Sequence, residues 1–597
     1  MTESPSASVA LLEHPLLEEP VATAPGGRSH RARRIHRRLT TESALSFLLP
    51  FLAYVVVAVL LDFVFLSFLG DAVSRLADGY YVFYSGDPHL AAIGFVWNPL
   101  PSIAAMPFLL LTPLWPALAS HIFAGSLTSA LAMAGAVYHL RAMLSEIGVV
   151  RAPRLILTVL FAVNPMILYY GGNGMSEALY LFTLMATTRY LLRWLQDGRL
   201  RWLVFSGVWL GIAYLARNEA VGAGLVAVAV VAVVSFSRTD GPRRTRIWTS
   251  LTDMTIFLVP LVVSFGGWAI ASLVITGQAF AQFTSQYGNT SQIRTQGLTP
   301  GHYGARLTLE SQAIASLAPL LLVVLVVAAV VARRHRDRRI LAPIAILGGA
   351  LVFDCFSYLT NNLIWSFRFF ITAAPLGVLL AGCCLARLQP ARRATVGSDG
   401  HKTALFLRPF LRLPAFAAPV VLALALGLPS PLLTGLAMTN PNVGSLENQY
   451  LGYIFSRHPS SASLQVEQHF ATVQSIDRYF SQRNFPDGSI IMDTFSVCAP
   501  DLVMSAPNPR IFMVTPERAF QKTLADPIRF HAPYLMIADP TGLNVLSALN
   551  IAYPTLFATG EGFARLVHDF PAAGECPEYR LYKAFRAATP AVGLAYG

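Results

Sequence analysis

About eleven apolar runs, each close to the length a helix needs to cross a bilayer, decide what this chain can become. They fall near 44–69, 117–141, 154–170, 175–196, 202–216, 220–237, 252–276, 312–332, 340–360, 367–387 and 411–435. Inside lipid a backbone has no water to bond, so such runs close their own hydrogen bonds as helices. Of 597 residues, 54% are hydrophobic and 13% charged, against roughly 25% charged in soluble domains. The expected fold class is mainly α, a polytopic transmembrane helix bundle. A further apolar piece, 101–112, suits a re-entrant or interfacial helix.

The net charge of +12 would suggest nucleic acid if the basic residues lay on one face. Instead they cluster beside the apolar runs. Arg151 and Arg154, Arg193 to Arg201, Arg238 to Arg246, Arg333 to Arg339 and Arg387 to Arg412 occupy alternate loops, on the same side as the cluster from Arg28 to Arg38. That is the positive-inside pattern. No nucleic-acid partner is expected. The partner is a lipid bilayer, the location a multi-pass cell (plasma) membrane protein, with the N-terminus cytoplasmic. Residues 1–40 read as a disordered basic tail without a cleavable signal, and the first run as an uncleaved anchor.

An odd number of spans puts the C-terminus outside. Over 436–597 the long apolar runs stop, and strand-like pieces appear at 489–493, 511–514, 534–538 and 579–582, with helix-compatible stretches at 516–524 and 560–569 between them. This alternation predicts a small extracytoplasmic α/β domain. No Gly-rich phosphate loop follows these strands. Outside the cytoplasm, Cys498 and Cys576 could form a disulfide; Cys355, Cys383 and Cys384 lie in apolar runs as small core residues. The expected domains are a tail at 1–40, a membrane domain at 41–435 whose first outer loop is 71–100, and the C-terminal domain at 436–597.

Ionisable and polar residues gather on the outer side, at span ends. Asp71 stands where the first run meets outer water. The same loop carries Arg75, Asp78, Asp87, His89, Trp97 and Asn98; later turns carry Glu177, Arg217, Glu219 and Arg368. Charges at such depth are functional candidates. Asp71 is the candidate catalytic base. Candidate substrate or phosphate contacts are Arg368, Arg217, Glu177, Glu219, Asp87, His89, Trp97 and Asn98, with Asp87 and His89 also able to hold a divalent ion such as Mg, Mn or Ca. Plainer readings stand beside these. Val73, Leu76 and Tyr80 recur at helical spacing, so Arg75 and Asp78 fit the polar face of an interfacial helix. Ser176 and Glu177 fit the start of the next helix, with Ser as N-cap, while Arg217 and Glu219 suit a mutual pair.

An outward first span ending in an acid, a long first outer loop, many spans and a C-terminal domain outside resemble the GT-C glycosyltransferases. The run from Asn164 and Pro165 through Tyr169, Tyr170 and Gly171 to Ser176 and Glu177 is similar to their Pro…Tyr…Ser-Glu turn. Arg368-Phe-Phe with Pro375 is similar to their Arg-aromatic…Pro segment. Together these touch residues 44–387, closest to actinobacterial mannosyl- and arabinosyltransferases. Ala72 follows Asp71, so the paired acids of some subfamilies are missing. The resemblance implies transfer of a sugar from a polyprenyl-phosphate donor to an extracytoplasmic glycan, lipid or protein acceptor, with Asp71 as general base. The alternatives are a transporter or flippase of a lipid-linked or polar solute, with Asp62 and Asp354 inside its spans, and a non-catalytic assembly or sensor protein.

Overall fold

The computed structural model describes residues 28–296, 303–388, 417–587 and 590. Two compact units divide the chain, 1–45 and 46–597. In the first, the backbone over 28–40 is helical, where the sequence predicted part of a disordered tail; arginine is a good helix former, and these residues continue helix α1 (Arg28–Val59). The rest of that predicted tail, 1–27, lies outside the described residues, as does the start of the last apolar run, 411–416.

Among the described residues, seven helices are long and apolar enough to cross a membrane, or up to nine if each of two bent pairs is one span. The two other expected runs are helices Ser176–Asp197 and Leu200–Ala216, the latter only 17 residues long. The 101–112 piece contributes the short helix Leu100–Leu109. Outer helices bare large apolar side chains, with Val262 56% and Val274 77% exposed, a surface suited to lipid rather than water. Helices Phe123–Ile147 and Phe367–Arg387 are largely enclosed by their neighbours.

The expected α/β domain is built on one sheet of five strands, β1 (Ile490–Met492), β2 (Phe512–Val514), β3 (Tyr534–Ala538), β4 (Ala564–Phe570) and β5 (Tyr579–Ala584), in the order β2-β1-β3-β5-β4. Strand β1 runs parallel to β2 and β3, with Ile490 opposite Phe512 and Tyr534; β5 is antiparallel to β3 and β4. Ile490, Ile491 and Met492 are fully buried, as a central parallel strand requires. Segment 560–569 was expected to be helix-compatible, but most of it belongs to β4. It is an edge strand whose five middle residues are exposed, so burial periodicity is absent and only pairing with β5 defines it.

Two features set the site. After the first span widens into a π-helical turn at Leu60–Phe65, Leu66 adopts φ 53° and the chain starts α2 (Gly70–Tyr84). This helix is mostly buried, with helix Ala499–Ser505 of the sheet region packed on it. The predicted interfacial helix is therefore covered by protein. The sheet region is tied down by Tyr453 and Ser67, which donate to the Phe65 and Tyr450 carbonyls at 2.7 and 2.9 Å.

Cys498 and Cys576 form a disulfide, with Cα atoms 5.5 Å apart and a separation of 78 in sequence. Closing a loop of that size removes unfolded-state entropy on the order of 4 kcal/mol. Cys576→Ser is expected to lower the thermal midpoint of the C-terminal region by several degrees, read by differential scanning fluorimetry. An unchanged midpoint contradicts a stabilising role.

Candidate active site

Asp71 sits in the first turn of α2, one element later than the end of the first span where the sequence put it. Unsatisfied backbone N–H groups there favour a negative side chain. Two chain reversals bring its partners close. Asn164 caps helix Pro165–Gly172 by accepting from the Met166 N–H at 3.0 Å, and this helix bends 58° from the one before. Gly174 then takes φ +76°, and a Cβ there would lie 3.4 Å from that of Ala72. A residue with a side chain would strain this turn, which delivers Glu177 beside α2. Ser176 is the first residue of the following helix, and Met175 occupies the cap position without a side-chain bond.

The charges form a chain. Arg368 donates to Asp71 Oδ2 at 2.7 Å and its Nε lies 3.6 Å from Glu177 Oε1. Arg217 donates to Glu177 Oε1 at 2.6 Å and to Glu219 Oε1 at 2.6 and 3.1 Å. Arg75, one turn along α2, is 3.8 Å from Asp71 Oδ2, bonds the Asp71 carbonyl at 3.2 Å and stacks 4.3 Å over the Trp97 ring. Asp71 is the open end, 31% exposed, while Glu177 is 1% exposed. Burial works against the Asp71 charge, but the Arg368 and Arg75 guanidiniums outweigh it and hold the carboxyl below its ordinary range. For Glu219 burial is likewise overridden, by Arg217.

The two candidate phosphate contacts differ in what they have left to give. Arg217 commits four of its five N–H groups to Glu177, Glu219 and Ser176. Arg368 makes one firm bond: its Nε has no hydrogen-bond partner and its Nη1 meets only the Met175 sulfur at 3.7 Å, a weak acceptor. Spare donors on a buried guanidinium suit an incoming anion.

The remaining candidates divide. Trp97 covers Arg75, and Asn98 donates to the Tyr214 carbonyl. Asp87 and His89 lie elsewhere, in a strap to the sheet region. Asp87 accepts from Arg518 through both oxygens, one bond being 2.8 Å to Nε. His89 Nδ1 lies 2.6 Å from the Asp87 carbonyl and 3.7 Å from its carboxylate. A guanidinium thus takes the carboxylate that a metal would need. Among the described residues, the single group of three or more ligand types close enough to share an ion is His469, Cys498 and Cys576, whose sulfurs are bonded to each other.

The sequence reading left out two participants. Arg75 was assigned to an interfacial face, although its i,i+4 spacing from Asp71 was the available signal. Glu447, fully buried, accepts from the Tyr170 hydroxyl at 2.6 Å; no local pattern points to it. Asp354, also buried, lies inside the span Arg338–Leu359 with its Oδ1 lacking a hydrogen-bond partner. Asp62 stands apart in the first span, its carboxyl buried and without a hydrogen-bond partner.

No family model and no curated protein matches the chain. Among solved structures it is similar to ArnT from Cupriavidus metallidurans bound to undecaprenyl phosphate, at 14% identity and TM-score 0.49, over 90% of this chain and 98% of that one. It is also similar to the Archaeoglobus fulgidus oligosaccharyltransferase, at 11% identity and TM-score 0.41, over 82% and 69% of the two chains. Likenesses of that size do not assign an activity, so the functional reading rests on the site.

Two outcomes follow from this geometry. Arg217→Gln leaves Glu177 and Glu219 buried without their cation, a loss of about 3–5 kcal/mol; a sharply lower thermal midpoint and a poor yield of monodisperse protein are expected, and a wild-type midpoint contradicts the account. The strap is sensitive to pH. Glu517 accepts from the Gly86 N–H at 3.0 Å, and burial pushes it from 4.5 to about 7. Raised above its unfolded value, this carboxyl favours the folded state while protonated, so stability falls as pH climbs from about 4.5 through about 7. Asp87, held down to about 2 by the Arg518 hydrogen bond, titrates below that window. Glu517→Gln is expected to remove part of the loss between about pH 4.5 and 7 in thermal unfolding; an unchanged pH slope contradicts the assignment.

Proposed function

We propose that this chain is an integral-membrane glycosyltransferase of the GT-C type, moving a sugar from a polyprenyl-phosphate donor to an acceptor hydroxyl or amine on the extracytoplasmic face. The observation that carries the reading is one partly exposed carboxylate, Asp71, bonded to a guanidinium with unused donors, Arg368, beside apolar spans. Those are the two groups such a reaction asks of a protein. The acceptor loses its proton to Asp71 as its oxygen or nitrogen attacks the anomeric carbon. The bond from that carbon to the phosphate oxygen breaks, and its electron pair leaves on the lipid phosphate. Arg368 meets the charge that develops there, in a site where little water screens it. Arg217 serves as a support, binding Glu177 on one side and Glu219 on the other.

A divalent cation is not needed to account for these two roles, and a chelator arm belongs in the assay. The transporter alternative draws on Asp62 and Asp354, neither of which is bonded to Asp71 or Arg368; the pairing of those two at 2.7 Å favours the transferase. Sugar and acceptor are open to a panel of polyprenyl-phosphate sugars.

Asp71→Asn keeps the side chain's shape and removes the base. Transfer by the purified variant is expected to fall about 10²–10⁴-fold with the protein still folded. Turnover at the wild-type rate would remove Asp71 from the mechanism.

A further inference from the structure

Base and phosphate binder are bonded to each other. While Arg368 holds Asp71 at 2.7 Å, the carboxylate is a poor base and the guanidinium is committed to it. The surroundings give neither group another firm side-chain partner. Arg75 is pinned to the Asp71 carbonyl and the Trp97 ring, so it stays on α2. Glu177 Oε1 is already taken by Arg217 at 2.6 Å, and its other oxygen is buried without a partner. Arg368 alone has slack, with one firm bond, an idle Nε and an Nη1 that touches only sulfur.

We propose that the donor's phosphate switches on its own base: it draws the Arg368 fork away from Asp71 Oδ2, and the freed carboxylate becomes competent to take the acceptor's proton. The proposal rests on the lipid-phosphate reading above. Asp71 then faces Arg75 and, farther off, Arg217 as cations, with Glu177 and the new phosphate as anions, so its affinity for a proton rises. After transfer the proton sits on the Asp71 carboxyl and the lipid leaves as a phosphate monoester. When Arg368 returns to Asp71 it favours the charged form, and the proton passes to water through the exposed edge of the carboxyl.

The test uses full-length protein in detergent micelles and farnesyl phosphate as the probe, with farnesol and inorganic phosphate alongside. Titration calorimetry in two buffers of different ionisation enthalpy at about pH 5–6 reads both affinity and proton uptake. Wild type is expected to take up a proton on binding farnesyl phosphate. Asp71→Asn is expected to bind it about tenfold tighter, since the variant lacks the charge that competes for Arg368, and without that uptake. The phosphate's own proton change appears in both proteins, so the difference between them isolates the carboxylate. If wild type binds without taking up more protons than Asp71→Asn, or the variant binds no tighter, the latch is overturned while the transferase reading stands. If neither protein prefers farnesyl phosphate to farnesol, or inorganic phosphate binds equally well, the lipid-phosphate reading itself falls and the latch with it.

Discussion

The bond between Arg368 and Asp71 is the interaction on which the rest of the arrangement depends. It joins the start of a late, enclosed span to the first turn of α2, across 297 residues of sequence. A guanidinium and a carboxylate at that depth are costly unless other charges accompany them. The accompaniment is the Glu177–Arg217–Glu219 chain, where a single arginine satisfies two acids. Three acids thereby face three arginines, with Arg75 completing the set from its place under Trp97. Charge balance lets the cluster exist beside apolar helices. Its one slack member, Arg368, lets it act.

Backbone geometry makes the cluster possible. Leu66 turns the chain out of the first span, Gly174 turns the Tyr169–Glu177 segment back against α2, and close helix contact brings Gly171 and Gly172 against Tyr54 and Ala58. The sheet region then covers α2 from the other side and grips the following loop through Arg518 and Glu517. A carboxylate on a helix held from both sides keeps its position, which is what the proposed role of Asp71 as a base requires.

What could be seen in the sequence was whatever is local. Long apolar runs announce helices because their period and length suffice, and each of the runs lying in the described residues is helical. Asp71, Glu177, Arg217, Glu219 and Arg368 stood out because a charge at a span end is expensive, although nothing local said which charge meets which. The pairing of Arg217 with Glu219 was legible from two-residue spacing; its second bond, to Glu177, was not. Asp87 and His89 looked like ion ligands, yet Arg518 comes from 431 residues away to take the carboxylate. Glu447 and the edge strand β4 carry no periodic signal, since each is defined only by its partner. Parallel pairing of β1 with β2 and β3 was likewise beyond a reading of short apolar pieces.

The most direct measurement of the central claim is an electron cryo-microscopy structure of the protein in lipid nanodiscs with a bound polyprenyl phosphate. The account predicts the phosphate oxygens in hydrogen-bond contact with the Arg368 guanidinium, Arg217 still on Glu177 and Glu219, and the Asp71 carboxylate free and facing the open side. A phosphate seated away from Arg368, or an Arg368–Asp71 bond intact beside a bound headgroup, would contradict it.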